Sequence, residues 1–131
     1  MKLNFRMPDE LKSFYQKEIE TYHRALADLD YPKAWHHLER AHIIGQRYAW
    51  PHTETHSYML YLGFRQKKVK EVLGQALRLI LGAPFSLIGQ IPVGNVGSTR
   101  VSMIKRQRIP TDIQAMFSKT NNLNGNFREL R

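Results

Sequence analysis

The chain contains no cysteine. Disulfides and thiolate metal sites are therefore excluded, and any bound metal must be held without a thiolate. There is also no long apolar run. The most apolar stretch, residues 73–91, is broken by Gln75, Arg78, Pro84 and Gln90. A spanning helix needs about twenty predominantly apolar residues, so no transmembrane segment is expected. The N-terminal MKLNFRMPDELKSFY has no apolar run behind its first lysine and does not read as a secretory signal. A soluble cytoplasmic protein is the expectation. Acid is scarce as well: 11 Asp and Glu stand against 20 Lys and Arg, giving a net charge of +9. Such an imbalance favours polyanionic partners, whether nucleic acid, acidic lipid or an acidic protein.

What is present is enough for one core. The 131 residues are 42% hydrophobic, which fits a single helical domain over 1–131. A first helix is expected from Pro8, with Asp9 and Glu10 in its first turn. Its inner stripe is Leu11, Tyr15, Ile19, Tyr22, Leu26 and Leu29, at steps of three and four. Asp28, Asp30 and Pro32 mark a tight turn into a second helix ending near Arg47. Ala34, Leu38, Ala41 and Gly45 form its central stripe and permit close approach of a neighbour. Pro51 opens a third helix to about Gln66, with His52, His56, Met59, Leu60 and Gly63 inward. A fourth, from Lys68 to about Leu81 with helical character onward through Pro84 to Ile88 and a kink at the proline, is expected to bury Val69, Val72, Leu73, Ala76, Leu77 and Ile80. The fold class is thus all-α: four main antiparallel helices, in a hairpin array or bundle, followed by a glycine-rich loop and a short C-terminal helix. GQIPVGNVGSTRVS is the loop, with left-handed turn positions at Gly94 and Gly97. The tail is loop-rich from about 89, the short helix falls within 109–119, and the asparagine-rich end is expected to fray. The apolar fourth helix is also a candidate homodimer contact.

Five of the six histidines fall in HHLERAHIIGQRYAWPHTETH, residues 36–56. The second and third helices are joined by a short connection, so they are expected to be antiparallel neighbours. His42 then faces His56, Gln46 faces His52, and Glu39 comes near Met59. His52 and His56 share a helix face at a spacing of four. Glu39, His42, His52 and His56 are the candidate metal ligands, with His37, Gln46 and Met59 in support. Neutral imidazoles and a carboxylate suit zinc, copper, nickel or iron, and affinity through imidazole depends on pH. The competing reading is a hydrogen-bonded core network in a non-enzymatic interaction module. Glu39-x-x-His42 and Glu20-x-x-His23 have the spacing used by di-iron bundles, but Glu20 points away from the inner face of its helix. Catalysis has little support beyond His42 as a base oriented by Glu39.

Two basic clusters remain. Arg65, Lys67, Lys68 and Lys70 join the third and fourth helices. Arg100, Lys105, Arg106 and Arg108 form a candidate anion-binding set in the tail. Neither carries the interleaved aromatics of specific nucleic-acid recognition, so binding of nucleic acid or acidic lipid is the third reading. The glycine loop matches no phosphate-binding pattern, and no strand precedes it.

The segments AWHHLERAHIIGQ, HTETHSYMLYLG, EVLGQALRLILGAP and IPVGNVGSTRVS resemble a family of short bacterial proteins known only as a domain of unknown function. The resemblance covers roughly residues 12 to 118 and implies no activity. ALADLDYPKAWHHLERAHIIGQ is locally similar to a tetratricopeptide helix pair. An array of that type recurs at about 34 residues, and the chain has no second copy.

Overall fold

The computed structural model of the protein describes residues 6–87, 93–103 and 105–124. Among them are five helices and no strand: α1 (Asp9–Ala27), α2 (Tyr31–Gly45), α3 (Ala49–Arg65), α4 (Val69–Leu87) and α5 (Thr111–Asn124). The all-helical class and the sequence of four main helices and a short last one are as expected. Each of the first three packs on the next in the chain, and α5 returns to α1. Residues 89–92 of the expected loop, and 125–131 of the asparagine-rich end, lie outside the described residues.

Local chemistry sets the helix ends. Pro8 precedes α1, and Asp9 and Glu10 occupy its first turn, where carboxylates meet the positive end of the helix dipole. Asp30 caps α2, its side chain accepting from the Lys33 amide at 3.2 Å, with Pro32 just inside the helix. Between them the chain reverses through Leu29, at φ +58°. This corrects the assignment of Leu29 to the inner stripe. The helix stops at Ala27, and Leu29 stands 59% exposed at the turn. The rest of that stripe points inward, with Leu11, Tyr15 and Tyr22 buried.

The small stripe of α2 is buried throughout. Gly45 is where it matters most. A Cβ there would lie 2.8 Å from the Pro51 Cβ and 3.1 Å from the Tyr15 ring. Three helices converge at this point, and the Tyr15 hydroxyl fastens them by donating to the Glu54 carboxylate at 2.7 Å.

The fourth helix departs most from expectation. Val69, Leu73 and Ile80 are 69%, 66% and 71% exposed, and Leu77 is exposed too, whereas Glu71 and Gln75 are buried. The apolar face points out because the inner face meets polar groups. These are an imidazole of α3 and the backbone of the loop after α4, and buried polar groups require polar partners.

That loop is itself buried. Asn95 to Ser98 are covered, and Gly94 and Gly97 adopt φ of +74° and +82°, the left-handed positions expected of them. Val96 and Val101 enter a core with Leu11, Ile44 and Tyr48, to which α5 adds Ile113 and Phe117.

Gly45→Ala tests the convergence of α1, α2 and α3. Intrinsic propensity favours alanine over glycine in a helix by about 1 kcal/mol. Here the new methyl meets a proline ring carbon that cannot swing away, and overpacking of this kind costs about 1–3 kcal/mol. The clash wins, so the denaturant midpoint of Gly45→Ala is expected to fall. An increase would show that the helices can separate at no cost.

Candidate metal centre

His42 comes from the last turn of α2. His52 and His56 come from successive turns of α3. The tight link through residues 46–48 folds the two helices antiparallel, so the rings are brought together as the hairpin register requires. His42 Nε2 lies 3.1 Å from His56 Nε2, which lies 3.0 Å from His52 Nε2. All three side chains are buried, and one ligand atom from each lies within 4.8 Å of the others.

The far sides of the rings determine what the near sides can do. His42 Nδ1 is 2.7 Å from the Asn95 carbonyl. A carbonyl only accepts, so His42 carries its proton on Nδ1. His56 Nδ1 is 2.6 Å from Gln75 Oε1. The orientation of that amide is fixed by its nitrogen, which donates to Glu71 Oε1 at 2.8 Å and to the Gly97 carbonyl at 2.9 Å. Turned over, Gln75 would place an oxygen against a carboxylate and a carbonyl. His56 therefore also donates from Nδ1. Two neutral rings with their protons on Nδ1 present bare lone pairs to each other across 3.1 Å. His52 can supply at most one proton to the group, and the remaining lone pairs repel unless a cation lies between them.

Charge cannot come cheaply from protonation. The imidazoles are held well below their ordinary range: His42 by burial and then by His56 and His52, His52 to about 3 by burial and then by His56, and His56 to about 4 mainly by burial. The Arg78 guanidinium pushes His42 and His56 the same way. The rings are neutral at neutral pH, as metal ligands must be.

The remaining expected site residues are placed differently. Glu39 is engaged by Arg100, at 2.7 and 2.6 Å, and by the Ser98 hydroxyl at 2.5 Å. It does not join the group of three imidazoles, but it fastens the loop lying over them. His37 meets Glu18 at 2.6 Å, in a network with Arg40 and Asp112 that ties α1, α2 and α5. Met59 is buried, its sulfur accepting from Gln75 at 3.5 Å. Gln46 is buried, and among the described residues its amide oxygen has no hydrogen-bond partner. Of the tail set, Arg100 is committed to Glu39, while Lys105, Arg106 and Arg108 are exposed.

Sequence reasoning missed Gln75, Asn95, Gly97 and Glu71. The signal for two of them was available. Glu71, Gln75 and Arg78 recur at helical spacing on an otherwise apolar helix, which marks a polar inner face. Asn95 acts through its backbone carbonyl on His42 and through its side chain on the Ser102 and Lys105 carbonyls, and nothing in its own sequence neighbourhood signals that.

Two outcomes follow from this geometry. With folded-state pKa values lowered, the unfolded chain binds more protons, so stability is retained above about 6.5 and lost as pH falls below it. The loss continues down to about 4 for His56 and about 3 for His52. Each imidazole that stays neutral contributes a slope of about 1.4 kcal/mol per pH unit. In metal-free protein, urea unfolding should show this decline between pH 6.5 and 4, and His42→Gln with His56→Gln should flatten it. Second, a Cβ on Gly97 would lie 2.6 Å from His42 Cδ2 at a left-handed φ. Gly97→Ala is expected to cost about 2–4 kcal/mol, read as a lowered melting temperature. A neutral result would mean that the loop does not press on the ring.

No curated protein and no solved structure matches the chain at a significant level. A family profile described as a protein of unknown function, DUF3703, matches residues 9–117. That span takes in all three imidazoles and the loop that closes over them, and the chain belongs to this family.

Proposed function

We propose that the protein binds one transition-metal ion through His42, His52 and His56. The observation that carries this reading is the pair of Nδ1 donors. His42 and His56 each give their outer N–H to an oxygen, and this turns their bare Nε2 atoms toward one another. Metal-bound histidines are oriented in the same way, by a carbonyl or carboxylate on the outer nitrogen. The spacing fits as well. Bonds of about 2.0–2.1 Å place nitrogens around a tetrahedral zinc about 3.3–3.4 Å apart. The two pairs that share His56 lie at 3.0 and 3.1 Å and need to part by only a few tenths of an ångström, and all three ligand atoms lie within 4.8 Å of one another.

An imidazole-only set suits zinc, copper, nickel or iron. Three ligands leave a fourth position, and the unpartnered amide oxygen of Gln46, one turn beyond His42, is our candidate to face it. Glu39 serves the site indirectly, by holding the loop. The enclosure of the rings favours holding or handing on an ion over reacting with a bulky substrate. Because the rings are already neutral, uptake near pH 7 displaces few protons, and affinity persists until pH falls toward about 4.

The test is a titration of chelator-stripped protein with zinc, copper and nickel, followed by mass spectrometry and thermal unfolding. One ion per chain is expected, with stabilisation of about 2.7 kcal/mol at a hundredfold excess over Kd. Replacement of His42 and His56 by Gln should abolish both. A folded protein that takes up no ion at micromolar metal would reduce the cluster to a structural network and end this reading.

A further inference from the structure

We propose that the outer face of α4 seats the protein on an anionic lipid surface. Val69, Leu73, Leu77 and Ile80 form an exposed aliphatic stripe along this helix, and Phe64 is exposed near the end of α3. Nothing among the described residues covers the stripe, and contiguous exposed apolar surface of this kind marks a docking face. With the inner side of α4 given to polar contacts, large apolar side chains stand in water with no cover among the described residues.

Charge identifies the occupant. Of the 20 Lys and Arg, nine lie between residues 57 and 111, against a single carboxylate, Glu71. The rest of the chain holds eleven basic and ten acidic residues and is nearly neutral. The charge excess of the protein therefore sits in the segment that carries the stripe. Glu71 is buried, and its oxygens are taken by Gln75 and by the backbone and hydroxyl of Thr99. Arg65, Lys67, Lys68 and Lys70 are exposed where the stripe begins, and no exposed acid offsets them on α4.

A face both aliphatic and cationic matches an anionic bilayer. The apolar stripe enters the boundary of the acyl chains, and the ammonium groups stay among the headgroups. A second copy of this chain fits worse, since it would bring the same lysines and no acid to meet them. Nucleic acid fits worse too, because it rewards aromatic stacking and phosphate contacts rather than leucine and isoleucine. Among the described residues no helix is long and apolar enough to cross a membrane, so the association is peripheral.

The test uses the full chain with vesicles of phosphatidylcholine mixed with phosphatidylglycerol, against pure phosphatidylcholine, in co-sedimentation at two salt concentrations. Binding to the mixed vesicles only, weakened by salt, is expected. Lys67→Gln with Lys70→Gln should reduce it by about fivefold per charge. Leu73→Gln with Ile80→Gln should reduce it by about tenfold or more while leaving thermal unfolding unchanged, as both positions are exposed. Failure to bind mixed vesicles overturns the proposal. So does binding that ignores Leu73→Gln and Ile80→Gln. A dimer in light scattering that those substitutions dissolve, without vesicle binding, would assign the face to a second copy. Binding of the unsubstituted chain to nucleic acid, with none to mixed vesicles, would assign the charge to that partner.

Discussion

One buried carboxamide holds the centre of the molecule together. Gln75 accepts from His56 and donates to Glu71 and to the Gly97 carbonyl. It thereby joins α3, α4 and the loop after α4 in a single hydrogen-bonded set. In a low-dielectric interior such a set has to be complete, since one unsatisfied member costs more than the average bond contributes. The tautomer of His56, the turn of the glycine loop and the rotation of α4 about its axis are thus mutually dependent. Alter one, and the others lose their partners.

The rotation of α4 illustrates the limit of hydrophobic periodicity. Val69, Leu73 and Ile80 recur at helical spacing, and the simplest inference buries them. Glu71, Gln75 and Arg78 recur on the opposite face with the same regularity. Which face turns inward is decided by what the helix meets, and here it meets an imidazole and loop carbonyls. A sequence reveals the stripe, but the neighbour selects the side.

The helices themselves were legible because their signals are local. Pro8 with Asp9 and Glu10, the Asp30 cap with Pro32, and the small stripe from Ala34 to Gly45 act within one or two turns. The meeting of His42 and His56 was legible too, since a short connection between antiparallel helices fixes the register arithmetically. Glu39 was placed among the ligands for the same geometric reason, yet Arg100 and Ser98 claim its carboxylate from about sixty residues away. Long-range claims on a side chain leave no trace in its immediate sequence. The partner of His42 in the loop, a backbone carbonyl of Asn95, carries no side-chain signature at all.

The separation between the rings and their cover has a consequence in time. Asn95 follows His56 by 39 residues. At about 5–20 residues per second, a ribosome completes it roughly 2–8 s later. Through that interval α2 and α3 exist without the loop, and their imidazoles lack its cover. Docking of Asn95 and Gly97 then covers them. The cover is thus the last part of the cluster to be made, and the rings pass from solvent into the interior only when it arrives.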